Sequence, residues 1–107
     1  MSASSIDKTT SGAAGSPPDM ARRVVTICNQ RGLHARAAAR FVKTAAQFAA
    51  EIWVRKNGAA VSGRSIMGLM MLAAAPGTVI ELAATGRQAE AAVTALTKLI
   101  ECKFDEE

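Results

Sequence analysis

The stretch NQRGLHARAAARF, Asn29 to Phe41, contains the only histidine among 107 residues. His34 falls where a β-branched segment gives way to a run of strong helix formers, which puts it at the N-cap or first turn of a helix. Free backbone N–H groups and the positive end of the macrodipole converge there. That end resists a positive charge, so an imidazole held beside it tends to stay neutral, with a lone pair available as a nucleophile. An anion attached to the ring would meet the amides that helix starts offer to phosphates. Arg36, two residues on, adds a guanidinium suited to phosphate oxygens, and Gly32 lets the backbone bend so that the ring projects outward. The competing reading, a plain cap or solvated side chain, is the commoner one for a lone polar residue at such a junction. These three features erode its lead.

The chemistry narrows by what is missing. A covalent acyl or glycosyl enzyme would need an acid or base partner, and Asn29–Phe41 holds no Asp, Glu, Cys or Ser to serve as one. Phosphoryl transfer asks mainly for in-line positioning and stabilised oxygens, which helix amides and Arg36 could supply. No pocket for a small substrate is evident, so donor and acceptor are expected to be other proteins. There is no CxxC pair, no phosphate-cradling glycine loop and no second histidine. Cys28 and His34 alone are too few ligands for a structural zinc site, so neither metal nor cofactor is expected.

The elements that must position His34 follow from local pattern. RRVVTIC, Arg22 to Cys28, reads as a first strand, and ARAAARFVKTAAQFAA as an amphipathic helix beginning near Ala35, with Ala38, Phe41, Ala45 and Phe48 on its inner face. EIWVRK and AAVSG, joined by Asn57-Gly58, form a hairpin, because Asn-Gly favours the positive φ angles of a type I′ turn. SIMGLMMLAA is a short apolar helix, TVIELAA a last strand ended by Gly86, and QAEAAVTALTKLIEC a final helix with Val93, Leu96, Leu99 and Ile100 on one face. The order is βαββαβα. It predicts an α+β fold in two layers, an open-faced sandwich with helices on one side of a mostly antiparallel sheet.

Composition bounds the rest. Half of the residues are hydrophobic and 21% charged, which is globular, and the longest apolar run is too short and too interrupted to span a bilayer. Residues 1–20 are rich in Ser, Gly, Thr, Ala and Pro and read as a flexible tail, leaving residues 21–107 as one domain. That tail lacks the apolar core of a secretory signal, so a cytoplasmic location is the default. Cys28 and Cys102 are expected to be reduced and largely buried. Net charge is +4, and residues 21–107 carry 12 basic against 7 acidic side chains. A basic surface attracts nucleic acid, acidic membranes or acidic proteins. With no Tyr, one Trp and three Phe, two of the latter at core spacing, nucleic acid is the minority reading.

The residues also carry a resemblance. GLHARAAARF is similar to the active-site signature of HPr, the histidine-containing phosphocarrier family of the bacterial phosphoenolpyruvate-dependent phosphotransferase system. SIMGLMMLAA resembles that family's second signature, at the usual distance and in the same element order, and the likeness runs from about Arg22 to Cys102. It implies that His34 accepts a phosphoryl group on its pros nitrogen from phospho-Enzyme I and passes it to a IIA-type domain, with Arg36 steadying the phosphohistidine. It further implies a stoichiometric carrier, not an enzyme; a monomer that binds no nucleic acid and inserts in no membrane; and a sheet ordered 1-4-2-3 under three helices. Two positions depart from the family pattern. Ala37 replaces a proline that would fix the first turn of the helix, and Arg87-Gln88 replace an acidic pair at the start of the last one.

The short apolar helix has too many large side chains to bury them all. Ile66, Leu69 and Leu72 are assigned to the core, and Met67 and Met70 to an apolar docking surface, since methionine adapts to several partners and the family docks through matching positions. Ser65 is a preferred N-cap residue where that helix should begin. In some branches of the family the serine here is also phosphorylated by a dedicated HPr kinase/phosphorylase, so the resemblance makes Ser65 a candidate regulatory site. Two other readings stay open beside sugar-linked phosphotransfer: a regulatory binding module without transfer activity, and a carrier of the nitrogen-related branch.

Overall fold

A computed structural model describes residues 20–106. The tail expected over residues 1–20 lies outside the described residues except for Met20, which opens the first strand. The elements are β1 (Met20–Thr26), α1 (Ala35–Ala45), β2 (Glu51–Lys56), β3 (Ala59–Ser62), α2 (Ile66–Met71), β4 (Val79–Thr85) and α3 (Ala89–Glu101), in the expected βαββαβα order. A short turn over Lys103–Asp105 follows.

The four strands form one antiparallel sheet in the order β1-β4-β2-β3. Alternation along the strands sorts their side chains. Val25, Ile52, Val54, Ile80, Leu82 and Ala84 face the helices and are buried, while Val24, Trp53 and Val79 lie on the open face. There Glu81 sits between Arg22 and Arg55 at 3.9 and 3.6 Å. Such exposed pairs add at most about 1 kcal/mol each. The hairpin turn has φ of 49° at Asn57 and 84° at Gly58, as the Asn-Gly signal requires.

The helical layer supplies the other half of the core. Ala37, Ala38, Phe41 and Ala45 come from α1, Leu69 from α2, and Ala89, Ala92, Val93, Leu96 and Ile100 from α3. Runs of alanine on α1 and α3 let two helices sit close to the sheet and to each other. Phe48 packs against this core from beyond the end of α1, where the amides of Gln47 and Phe48 turn to the carbonyls three residues back. Lys56 closes α2, its ammonium donating to the carbonyls of Leu72 and Ala73 at 2.8 and 3.2 Å.

Three expectations require correction. The first strand ends at Thr26, so Cys28 lies on the following loop and is exposed; its thiol reaches the Ile100 carbonyl at 3.3 Å. Cys102, at the C-cap of α3, is exposed as well. Both thiols are free, but neither is buried. Ile66, assigned to the core, is 40% exposed because it occupies the first position of α2, whose inner face is set by Leu69 and Leu72.

Candidate functional site

His34 is the N-cap of α1, in an extended conformation with φ −79° and ψ −179°. Its carbonyl accepts from the Ala38 amide at 2.8 Å, starting the helix, and its ring Nδ1 accepts from the Arg36 amide at 3.3 Å. The capping reading and the chemical reading therefore describe the same side chain. Nδ1 faces the open start of α1, where the first amides have no acceptor within the helix.

The loop before the helix is locked in place. Gly32 has φ +67°, and a Cβ there would come within 2.6 Å of the Ala74 carbonyl oxygen. Only glycine combines that angle with that proximity. The next residue, Leu33, donates its amide to the same carbonyl at 2.9 Å, tying the loop to the segment after α2. Asn29, fully buried, donates from Nδ2 to the Gly32 carbonyl at 2.7 Å.

A residue that the sequence reading missed completes the site. The Glu106 carboxylate bonds His34 Nε2, the ring nitrogen opposite the helix, and accepts from Asn29 Nδ2 at 3.2 Å. Asn29–Phe41 holds no acid or base partner for the ring, and this one arrives from 72 residues away. The two side chains are 17% and 14% exposed. The hydrogen bond from His34 holds the Glu106 carboxyl below its ordinary range, against the opposing effect of burial; Asn29 and the positive charge of Arg31 act in the same direction as His34.

Glu106 gets there through an unusual backbone. Lys103, Phe104 and Asp105 have φ of 57°, 55° and 60°, three successive non-glycine residues in the left-handed region. Each costs on the order of 1 kcal/mol. The turn is held by the fully buried ring of Phe104, by Arg40 paired with Asp105 at 3.7 Å, and by the grip of Asn29 on Glu106. An aromatic followed by acids after an amphipathic helix, FDEE, was the only signal in the sequence that the chain end docks.

Around the ring lies a shallow cavity of about 250 Å³ lined by Gln30, Arg31, His34, Arg36, Arg40, Asp105 and Glu106. Its size and its guanidinium groups suit a small anion. Arg36 is exposed on this rim and makes no ion pair among the described residues. On the other side of His34 the wall is Leu33 and Ala73–Ala75, the segment that follows α2. Ser65 caps α2, its hydroxyl accepting from the Gly68 amide at 2.9 Å, and Met67 and Met70 are 71% and 43% exposed. Met71, which the sequence left unassigned, joins them with Ile66, so the outer face of α2 is one apolar patch.

The profile of the PTS-HPr family, described as the PTS HPr component phosphorylation site, matches residues 21–102, and the chain belongs to that family. It is 54% identical over 87 residues to the phosphocarrier protein HPr of Neisseria meningitidis, a match covering 81% of this chain and 98% of that one. It is 44% identical over 84 residues to the phosphocarrier protein NPr of Shewanella violacea, covering 78% and 92%. The crystal structure of HPr-C-His from Thermoanaerobacter tengcongensis superposes with a TM-score of 0.78 at 47% identity, over 81% of this chain and 98% of that one. No helix of the described residues is long and apolar enough to cross a membrane.

Proposed function

We propose that His34 carries the phosphoryl group on Nδ1, taking it from phospho-Enzyme I and delivering it to a IIA-type domain. The observation that carries this reading is the division of labour between the two ring nitrogens: Nε2 is engaged by Glu106, while Nδ1 faces the Arg36 amide at the start of α1. A phosphoryl group on Nδ1 would lie over the first-turn amides, where the macrodipole and free N–H groups stabilise negative charge. The Arg36 guanidinium on the cavity rim can close on its oxygens. The protein acts as a stoichiometric carrier: the lone pair of Nδ1 attacks phosphorus as the donor's bond breaks, and the reverse step regenerates the free ring.

The test is to mix the protein with phosphoenolpyruvate, Mg²⁺ and an Enzyme I. The expected product is a single phosphorylated species, labile in acid and stable in alkali. An unlabelled protein, or an acid-stable product, would overturn the proposal. In the same assay Arg36→Ala should stay folded and transfer at least about tenfold more slowly, since one charge-assisted contact contributes roughly 1.5–3 kcal/mol. Wild-type rates in that variant would remove Arg36 from the site.

Docking is assigned to the face of α2 that exposes Met67 and Met70, next to Ile66 and Met71. Ser65 begins that helix, and an HPr kinase/phosphorylase acting there would place about −1.5 to −2 charges at the edge of the patch. The start of α2 tolerates an anion, so the fold should persist, while a partner docking on the patch must desolvate it. Ser65→Asp is expected to keep its thermal midpoint within a few degrees and to label more slowly than wild type with phospho-Enzyme I. Unfolding would make Ser65 mainly a cap; a stable variant labelled at the normal rate would place the docking face elsewhere. The likeness to an NPr keeps the nitrogen-related branch as a second reading, and comparing IIA-type acceptors of the two branches in the transfer assay separates them.

A further inference from the structure

Resting on the phosphocarrier reading, we propose that Glu106 is a positioning residue for the reaction: its carboxylate holds the His34 ring with the proton on Nε2 and balances the positive charge that the ring acquires when Nδ1 is phosphorylated. The geometry supplies each part. The carboxylate is itself held, accepting from Asn29 Nδ2 while Asn29 also grips the Gly32 carbonyl, so one buried side chain couples the acid to the loop that orients His34. The left-handed turn anchored by Phe104 brings it to Nε2 and away from Nδ1. An acceptor at Nε2 selects the tautomer that carries its proton there and leaves Nδ1 unprotonated, its lone pair met only by the long contact from the Arg36 amide at 3.3 Å.

The electron count shows why the charge matters. In the forward step the Nδ1 lone pair forms the N–P bond while the donor's leaving atom keeps the electrons of the bond it loses. No proton leaves Nε2, so the ring becomes a cation. In transfer to an acceptor the N–P electrons return to Nδ1, and a ring that is still protonated leaves as a neutral imidazole. Lose the Nε2 proton first and the leaving group would be an imidazolate, which is far poorer. The carboxylate therefore keeps the phosphorylated ring in its transferable form to higher pH. Among the described residues, the other charged groups around the ring are Arg31 from the loop, Arg36 and Arg40 from α1, and Asp105 from the turn. Arg40 and Asp105 pair with each other, and the remaining arginines oppose a cationic ring, so Glu106 is the group that offsets them.

Glu106→Gln keeps an oxygen that can accept from Nε2 but removes the charge; Glu106→Ala removes both. The phosphorylated forms of wild type, Glu106→Gln, Glu106→Ala and Glu106→Asp are to be isolated and the rate of transfer to a IIA-type domain followed from pH 5 to 9, with thermal midpoints as the folding control. An opposite charge in contact is expected to move the pH of half-maximal transfer by one unit or more. That pH should fall by at least one unit in Glu106→Gln, transfer near pH 5 should match wild type, and Glu106→Asp should recover part of the shift. In ¹⁵N-labelled unphosphorylated protein, the Nε2–H tautomer should persist in Glu106→Gln and give way to a mixture in Glu106→Ala. A wild-type pH profile in Glu106→Gln, with the protein folded and phosphorylated, would overturn the proposal and leave His34 as the carrier. Failure of the wild type itself to be phosphorylated would instead overturn the carrier reading beneath it, and this one with it.

Discussion

His34→Ala is expected to take up no phosphoryl label from phosphoenolpyruvate and Enzyme I, against one group per chain for the wild type. No second imidazole exists to inherit the reaction. Among the described residues, Ser65 has its hydroxyl committed to the Gly68 amide, and Cys28 and Cys102 do not line the arginine-rich cavity. The substitution removes a long capping contact, 3.3 Å, and the ring that Glu106 bonds, but Glu106 keeps the hydrogen bond from Asn29, so the loss should be about 1–3 kcal/mol and the fold should survive. Intact circular dichroism with no label assigns the loss to the chemistry. Undiminished labelling of His34→Ala would sink the assignment, and mass mapping would then locate the true acceptor.

The largest effect on stability is expected from Phe104→Ala. Its ring is fully buried, and truncating a core phenylalanine typically costs about 3–5 kcal/mol. Here the cost has a second component. Without the ring, three left-handed residues lose the burial that offsets their strain, and the turn should relax to an ordinary conformation. Glu106 would then leave Nε2. A fall in thermal midpoint of 10 °C or more is expected for a domain of this size, together with loss of the Glu106–His34 contact in NMR spectra. A midpoint within 2–3 °C of wild type would mean that the chain end is not docked in solution.

The clearest local signals concerned the helix starts. His34 was placed at the head of a helix by the change from β-branched residues to helix formers, Ser65 by its capping type, and the two cap α1 and α2. The Asn57-Gly58 turn and the alternation in EIWVRK and TVIELAA were equally legible, because a turn's φ signs and a strand's two faces are decided within a few residues. Gln88, where the acidic pair is absent, makes no side-chain cap for α3; its Oε1 accepts instead from the Ala49 amide at 2.7 Å. The order 1-4-2-3 came from the family resemblance, since periodicity marks which residues lie in strands but not which strands pair.

Errors arose where exposure depends on what lies opposite. Cysteine and isoleucine are usually buried, yet Cys102 and Ile66 fall at the ends of helices, where the neighbouring layer no longer covers them, and Cys28 is exposed between the fully buried Ile27 and Asn29. The same limit hid Glu106. Its position depends on where α3 stops over the sheet and on a left-handed turn that opens at Lys103 and Phe104, neither of them the glycine, Asn or Asp by which such turns are normally read. Local chemistry along the chain therefore determined the elements, the place of His34 at the head of α1 and the arginine beside it. Only the tertiary structure brought a carboxylate to the far side of the ring, because that contact joins positions 72 residues apart and forms only once α3 has packed against the sheet and Phe104 has found the core.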